Sequence, residues 1–364
     1  MITSGTLAVN IFNPSWRRAK SEAFDLWVNS TAQSVTEFSL WGHPVRVYAN
    51  ANFSIYSGQR CNASCRFCVE ELRPISRGIS LATQQRRAVD DSIYFTKLEE
   101  CLFALSPLSP SISITGGEPS KDPRLPKILH IVRRFWAPRK TLTTNGSGLL
   151  DKIGPRTVLE HITEAKLSHL NLSVAHYSTI RNAQIMRLRQ ALSEENLRIV
   201  AQEAAQARVR VRLSCVLLSE GISSLAAIIK YLDFAASLGV DNVIFRQLMK
   251  SDPTTQAANS VVEYSDAQRI QVEPLLDQIS NTPEFEFVRQ IMGYYYYVEV
   301  WRYAGMDVVF EEADLARIEL VKHRDPGIIH ELVFHPGAVL SSTWQPWDGV
   351  LGPCAASPSE KNTF

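Results

Sequence analysis

The sequence lacks any long apolar run, and no window of it approaches the roughly 20 apolar residues that a membrane-spanning helix needs. Its first residues lack the basic start, apolar stretch and small-residue cleavage site of a secretory signal. Internal repeats, low-complexity tracts and long charge blocks are also missing. These absences argue against a membrane or repeat protein, and we expect a cytoplasmic protein with no membrane partner.

Charge of either sign is not in excess, since 38 Lys and Arg residues stand against 37 Asp and Glu residues. A protein that binds duplex nucleic acid usually carries a strong basic excess on one face. The composition therefore disfavours nucleic acid, with a small RNA left as an alternative. With 45% hydrophobic and 21% charged residues over 364 positions, the chain has the profile of a globular protein with a substantial core.

Cysteine is scarce, yet half of the six cysteines are clustered as Cys61, Cys65 and Cys68. The spacing of three and then two intervening residues lets one loop bring three thiolates to a common metal centre. A structural zinc site would normally be closed by a fourth Cys or His. The next candidates, Cys101 and His130, are far along the chain, and Cys101 lies in an amphipathic helical pattern. Three protein ligands leave one metal position open, as a reactive site requires; a zinc knuckle is the alternative.

Short apolar runs alternate with longer helical patterns through the middle of the chain. The predicted strands are 51–57, 111–115, 140–144, 168–174, 208–218 and 242–248. The predicted helices are 83–105, 125–135, 155–166, 193–207 and 222–239. This alternation predicts an α/β fold with a parallel sheet and ligands at the carboxyl ends of the strands. Periodicity alone leaves both a partial barrel and an open sheet possible.

The pattern changes after residue 250 to a helix at 266–279 and two hairpins. The hairpins are expected to turn at Ala304 and Gly305 and at Pro336 and Gly337. We therefore divide the chain into a lead-in over residues 1–50 that covers the first strand, a core over 51–250, and a C-terminal α+β cap over 251–364 that holds no cysteine cluster.

Three motifs at successive strand ends resemble those of the radical S-adenosylmethionine superfamily. The motif "CNASCRFC" follows the first predicted strand, "GGEP" follows the second and "NG" follows the third. Each of the last two alone is also typical of an ordinary turn, but the three in this order are specific. The resemblance covers roughly residues 51–250 and implies a partial (βα)6 barrel of parallel strands with a C-terminal α+β extension.

The resemblance implies one 4Fe-4S cluster and S-adenosylmethionine as cofactors. Cys61, Cys65 and Cys68 would bind three irons of the cluster, and S-adenosylmethionine would chelate the fourth. The residues that the resemblance places around S-adenosylmethionine are Phe67, Gly116, Gly117, Glu118, Pro119, Asn145 and Ser173. Phe67 would lie beside the adenine ring, and Glu118 would accept a hydrogen bond from the methionine amino group. An electron donor such as flavodoxin or ferredoxin is implied as a partner.

Polar positions on the later strands are candidates for substrate contacts. Strand alternation places Arg212 and Ser214 on one face and Cys215 on the other, apolar face. We expect Cys215 to be a small buried hydrophobe rather than a hydrogen-atom donor. Arg212, Ser214 and Arg246 are the candidate contacts for a carboxylate or hydroxyl group. A solvated surface position is the alternative for the arginines.

The implied activity is reductive cleavage of S-adenosylmethionine, followed by hydrogen abstraction from a small-molecule substrate. The motifs assign no further catalytic residue and do not define the fate of the substrate radical. Because the C-terminal cap has no cysteine cluster for auxiliary metal centres, we favour rearrangement, elimination, epimerisation or carbon–carbon bond formation on a small metabolite. The alternatives are radical modification of RNA or a peptide, and a non-catalytic iron–sulfur or zinc protein that binds a partner.

Overall fold

A computed structural model of the chain describes residues 7–14, 17, 35–58, 60–72, 89–250 and 259–352. The first part of the predicted helix 83–105, up to residue 88, lies outside these ranges, as does Cys354. Within these ranges no helix combines the length and the apolar character that crossing a bilayer demands.

The strands are named here in chain order. They are β1 (Leu7–Val9), β2 (Val35–Leu40), β3 (His43–Tyr56), β4 (Ser111–Thr115), β5 (Lys140–Thr144), β6 (Lys152–Ile153), β7 (Arg156–Thr157), β8 (His169–Ser173), β9 (Arg210–Leu217), β10 (Asn242–Gln247), β11 (Phe285–Met292), β12 (Tyr296–Tyr303), β13 (Met306–Ala313), β14 (Ile328–Phe334) and β15 (Leu340–Ser341).

The helices follow the same numbering scheme. They are α1 (Asp91–Leu105), α2 (Leu125–Arg133), α3 (Val158–Glu164), α4 (Thr179–Met186), α5 (Glu194–Gln206), α6 (Leu225–Ser237), α7 (Ser260–Gln268), α8 (Val272–Ser280) and α9 (Leu315–Arg324). Side-chain caps fix several helix starts: the Ser193 hydroxyl accepts from the Asn196 amide at 3.1 Å, so that α5 begins at Glu194.

The predicted parallel sheet is confirmed, with β3, β4, β5, β8, β9 and β10 side by side in that order. Every pairing in this row is parallel. The first strand starts at His43 instead of residue 51, because its first half pairs antiparallel with β2. Alternate residues of the strands pack into the helix-covered core; on β8, for example, Leu170 and Leu172 are buried there. The intervening residues lie on the opposite face of the sheet.

The C-terminal extension adds one parallel strand to each edge of this row. Strand β13 pairs with β10, and β14 pairs with β3, both in parallel. The two predicted hairpins are confirmed: β12 and β13 turn at Ala304 and Gly305, and β14 pairs antiparallel with β15. The extension is therefore continuous with the core sheet, while the division of the chain at residue 250 stays a prediction.

Aromatic side chains bring the two edges of the row together. Tyr294, which precedes β12, packs on His330 of β14 at a ring separation of 5.0 Å and on Tyr48 of β3 at 5.3 Å. The neighbouring Tyr295 carbonyl accepts from the Asp314 amide at the end of β13. Because residues next to β13 touch the opposite edge of the row, the sheet curls into a barrel-like shape.

Segments within residues 1–50 pair with two different parts of the sheet. Strand β2 pairs antiparallel with β3, and β1 pairs antiparallel with β11 of the C-terminal extension; the lead-in as a separate unit stays a prediction. Arg17 is buried against the same extension, where it binds Glu299 through two contacts of 2.7 and 2.6 Å and Asp277 at 2.6 Å. The N-terminal end of the described chain is thus packed against the C-terminal extension.

Candidate metal and cofactor site

Three loops meet at the carboxyl ends of β3, β4 and β5. They are residues 57–58 and 60–72 after β3, where the cysteines lie, Gly116–Pro119 after β4, and the turn at Asn145 and Gly146 after β5. Parallel register brings these ends level: Tyr56 pairs with Thr115, and Ile114 pairs with Leu142. The three sequence motifs therefore lie at one edge of the sheet, as the rule for parallel α/β folds predicts.

The cysteine loop presents three free, half-buried thiols. The Cys68 amide donates to the Cys65 carbonyl at 3.3 Å, which turns the loop between the two residues. The Cys65 thiol donates to the Met186 carbonyl at 3.3 Å, and Cys61 Sγ accepts from the Ala63 amide at 3.4 Å. Two backbone contacts within the loop, together with one to Met186, thus hold the thiols in place.

Burial and mutual repulsion make these thiols hard to ionise. Burial raises the pKa of all three, to about 12 for Cys68. After burial, the nearby Cys68 and Cys61 raise the pKa of Cys65 most, and Glu70 does the same for Cys68. The thiols are therefore protonated at neutral pH, and a bound cation that made them thiolates would release protons.

The donor chemistry of this loop fits an iron–sulfur cluster. Three cysteine sulfurs on one loop, coupled electrostatically to each other, are the ligands that such clusters use. Among the described residues, no three His, Cys, Asp or Glu side chains are grouped closely enough to hold a single metal ion. The loop thus carries the right donors without converging them on one point.

The Gly116–Pro119 turn depends on glycine. Gly116 has a φ of +85°, and a Cβ at this position would collide with the buried ring of Tyr56. The Gly117 amide donates to Glu70 Oε1 at 2.9 Å, which ties this turn to the cysteine loop. Pro119 is buried and begins a single 3-10 turn, Pro119–Lys121.

Glu118 is fully buried and accepts hydrogen bonds from both sides of the β4–β5 junction. Its Oε1 accepts from the Ser120 amide at 2.9 Å, from the Ser120 hydroxyl at 2.6 Å and from the Thr144 hydroxyl. Its Oε2 accepts from the Asn145 amide at 2.8 Å. Glu118 therefore connects the second motif to the third, and its expected contact with a methionine amino group stays a prediction.

Asn145 connects the third motif to the first. Its side-chain amide donates to Asn62 Oδ1 at 2.9 Å and makes a longer contact of 3.8 Å with Cys61 Sγ. Together with the Gly117–Glu70 and Glu118–Asn145 hydrogen bonds, these contacts close a ring of polar interactions through all three motifs.

The other expected cofactor residues lie around this ring. Phe67 packs on an apolar cluster that includes Met186 and Leu188, so its ring is part of the wall beside the cysteine loop. Ser173 is the last residue of β8 and is half-buried beside Ser214 of β9. Their expected contacts with S-adenosylmethionine stay predictions.

The candidate substrate residues face the inside of the curled sheet. Arg212 and Ser214 occupy alternate, half-buried positions of β9, and Cys215 is fully buried on the other face, as expected. Arg246 of β10 forms an ion pair with Glu311 of β13 at 3.2 Å. Arg212 and Arg246 are close enough for each charge to act on the other.

Sequence analysis missed two residues of the site, Tyr56 and Glu70. Tyr56 ends β3 with its ring against Gly116, and burial followed by the Glu70 charge raises its pKa well above the ordinary value. Strand parity would have placed Tyr56 on the inner face with Ser54. Glu70 carries no such signal, because it lies in a loop whose path depends on the fold.

The fold and site together define a barrel-like α/β protein with a three-cysteine loop beside two polar turns. No protein-family model matches the chain, and no curated protein matches it. Similar solved structures exist at 13–16% identity.

Three of these structures illustrate the range. Streptococcus suis SuiB shares 13% identity over 92% of this chain and 67% of its own, with a TM-score of 0.49. Coproporphyrinogen III oxidase (HemN) from Escherichia coli, described as a radical SAM enzyme, shares 16% over 64% and 52%, with a TM-score of 0.41. The anSMEcpe structure with bound AdoMet shares 16% over 54% and 50%, with a TM-score of 0.36. The chain spans about half the length of most of these proteins, and its function is argued below from its own residues.

Proposed function

We propose that this protein is a radical S-adenosylmethionine enzyme that acts on a small molecule. The observation that carries the proposal is the ring of hydrogen bonds through the three motifs. It joins Cys61 to Asn145, Asn145 to Glu118, and Gly117 to Glu70, across 84, 27 and 47 residues of sequence. Three unrelated turns after separate strands would not be expected to be joined by such hydrogen bonds.

In this proposal Cys61, Cys65 and Cys68 bind one 4Fe-4S cluster. When bound, the cluster would supply the electron that cleaves a carbon–sulfur bond of S-adenosylmethionine. The 5′-deoxyadenosyl radical so formed would abstract a hydrogen from the substrate. The choice of a single cluster is supported by Cys101 and Cys215, which are buried in the main hydrophobic core rather than beside the loop.

The chain's own residues would bind and orient S-adenosylmethionine. Gly117 has no side chain, so the backbone there can be approached closely by a methionine amino group, whereas the side-chain position of Gly116 is filled by the ring of Tyr56. The carboxylates of Glu70 and Glu118 give this corner the negative charge that an ammonium group needs. Phe67 and its apolar neighbours would shield S-adenosylmethionine from water on the side of the cysteine loop.

The substrate would lie inside the curled sheet, where the inner-face residues are polar. Inward positions of β4, β5 and β8 include Ser113, Thr143 and Asn171, all half-buried. A polar interior of this kind favours a small polar metabolite, on which rearrangement, elimination, epimerisation or carbon–carbon bond formation would follow hydrogen abstraction. A flavodoxin or ferredoxin would supply the electron, in a reducing compartment such as the cytoplasm.

The proposal is tested by anaerobic reconstitution with iron and sulfide. The wild-type protein should show the visible absorbance of an iron–sulfur cluster and, after reduction, should convert S-adenosylmethionine into methionine and 5′-deoxyadenosine. The C65A variant should lose both properties. The matched control is C101A, which removes a thiol that is buried in the core away from the loop.

Two results would overturn the proposal. A colourless protein that retains zinc would support the binding-protein alternative, and a cluster that forms without any S-adenosylmethionine cleavage would remove the enzymatic assignment. If cleavage occurs, adding peptide, RNA or metabolite pools and measuring the increase in 5′-deoxyadenosine separates the substrate classes.

A further inference from the structure

The inside of the curled sheet carries three arginines on neighbouring strands, and two of them are neutralised by carboxylates. Arg210 binds Asp241 and Asp307, each at 2.9 Å. Arg246 binds Glu311 at 3.2 Å. These two guanidinium groups therefore have local counter-ions.

Arg212 differs from both of its neighbours. Its only hydrogen bond within the described part of the chain runs from Nε to Oδ1 of Asn242, which is a neutral amide. Nη1 and Nη2 make no hydrogen bond or ion pair to any described residue, so the two atoms of the guanidinium fork that best match an oxyanion are available.

The surroundings of Arg212 make a charge without its own counter-ion costly. Burial and then the nearby charges of Arg246 and Arg139 lower its pKa to about 10, and Glu311, which is already paired with Arg246, opposes this lowering only in part. A partly desolvated cation with no counter-ion of its own is unfavourable unless a ligand supplies the missing charge. The cost makes sense for a residue whose partner is an anion from outside the chain.

Two further polar groups next to Arg212 lack hydrogen-bond partners. Asn171 of β8 pairs directly with Arg212 in the sheet register, and His169 lies one inward position below Asn171. Asn171 Oδ1 and His169 Nδ1 are buried with no hydrogen-bond partner among the described residues. The Asn171 amide nitrogen already donates to the Thr143 hydroxyl at 3.2 Å, so its oxygen is the group left to accept.

We propose that Arg212 binds an anionic group of the substrate, a carboxylate or a phosphate ester, through Nη1 and Nη2. Asn171 accepts a hydrogen bond from a neighbouring hydroxyl or ammonium group of the same molecule, and His169 is the second unpaired group beside it. The site lies one inward position below Ser214, which corresponds to about 7 Å along the strand. The proposal rests on the proposed function in that this depth puts the anion beneath the expected cofactor site.

Anion binding can be measured on the protein without cluster or S-adenosylmethionine, so this test is independent of the proposed activity. Acetate, glycolate, glycine and inorganic phosphate are titrated by calorimetry and by thermal shift against wild type, R212M, R212K and R210Q. At least one anion should bind the wild type in the millimolar range. R212M should weaken that binding at least tenfold, and R210Q should change it less than twofold, because Arg210 is already neutralised.

The direction of the change in melting temperature distinguishes anion binding by Arg212 from a purely structural role of this residue. Without added anion, R212M should melt at the same temperature as wild type or higher, because it removes a partly desolvated charge that lacks its own counter-ion, and the rise in melting temperature on adding anion should disappear. R212K should retain binding but weaken it by about three- to tenfold, since the fork geometry is lost. Stronger binding of glycolate or glycine than of acetate would support the role of Asn171.

Three outcomes would overturn the proposal: no binding of any of the four anions by folded wild type, unchanged binding by R212M, or equal losses in R212M and R210Q. If R212M does not fold, R212K against R210Q gives the same comparison. Anion binding in a protein that fails to cleave S-adenosylmethionine would count against the proposed function alone, whereas cleavage without anion binding would count against this inference alone.

Discussion

The carboxylate of Glu118 accepts the backbone amide of Asn145 at 2.8 Å, from a position that is fully buried. This hydrogen bond joins the loop after β4 to the loop after β5, and Ser120 and Thr144 donate to the same carboxylate. A residue that the motif assigns to cofactor binding is therefore also a structural link between the two loops.

Replacing Glu118 by Ala should lower both stability and cofactor affinity. The change leaves the donors on Ser120, Thr144 and Asn145 unpaired in a buried region, which we expect to cost about 2–5 kcal/mol of unfolding free energy. The matched control is E160A, which removes the exposed carboxylate of the α3 capping box and should cost much less. Denaturant unfolding of both variants checks the difference; an equal, small loss would show that Glu118 is not a structural link.

Replacing Gly116 by Ala should be far worse than the same change at Gly42. Both glycines have similar positive φ values, +85° and +83°, so the backbone strain of about 1–2 kcal/mol is shared. A Cβ at Gly42 meets nothing within 4 Å, whereas at Gly116 it collides with the ring of Tyr56. We expect G116A to lose about 1–3 kcal/mol more than G42A, and also to lose S-adenosylmethionine binding, both measured on purified protein. Similar melting temperatures for the two variants would contradict the packing argument.

Replacing Arg17 by Ala should destabilise the fold strongly. Arg17 is the buried partner of Glu299, and its removal leaves that fully buried carboxylate with Tyr297 and Trp301 as its only side-chain donors among the described residues. The expected loss is about 3–5 kcal/mol. The control is R198A, which breaks the exposed i,i+4 pair with Glu194 and should cost about 0.5 kcal/mol. Thermal unfolding compares the two, and equal losses would mean that the N-terminal segment adds no stability.

Acidification should destabilise the protein partly through His335. Burial lowers the pKa of His335 to about 4 in the folded protein, against an ordinary value of 6.5. As the pH falls below 6.5 the unfolded chain binds the proton first, so stability declines between pH 6.5 and about 4, by up to about 3 kcal/mol. The H335Q variant should show a shallower decline over this range.

The control for His335 is S341A, which removes the hydroxyl that contacts His335 Nε2 at 2.7 Å without removing a titratable group. Its stability loss should be similar at every pH from 7 to 4. Parallel pH profiles for H335Q and wild type would show that His335 does not contribute to the acid sensitivity.

Local patterns in the sequence predict the elements well where the pattern is confined to one element. Strands β4 and β5 begin and end where the alternation of apolar residues does. The predicted helix at 266–279 is instead divided into α7 and α8, because Arg269 adopts an extended backbone and donates its side chain to the carbonyls of Leu248 and Met249. Those acceptors directly follow β10, so the break cannot be read from the helical pattern.

Pairing between distant segments is the part that sequence analysis could not supply. Nothing in the alternation of β13 or β14 tells that each joins an edge of the core sheet in parallel. Likewise the candidate site was predicted through its three motifs, whereas Glu70 reaches Gly117 only because two loops fold together. Residues of this kind are defined by tertiary contacts rather than by spacing.

The packing of Tyr294 on His330 and Tyr48 closes the barrel through side chains, unlike the rest of its wall. Elsewhere neighbouring strands of the row share main-chain hydrogen bonds, while in the described structure β13 and β14 are not neighbours in the sheet, and Tyr294 before β12 meets β14 and β3 through aromatic rings. Side chains can separate and return without breaking the main-chain hydrogen bonds between strands. This is therefore the line along which the wall can open at the lowest cost in free energy.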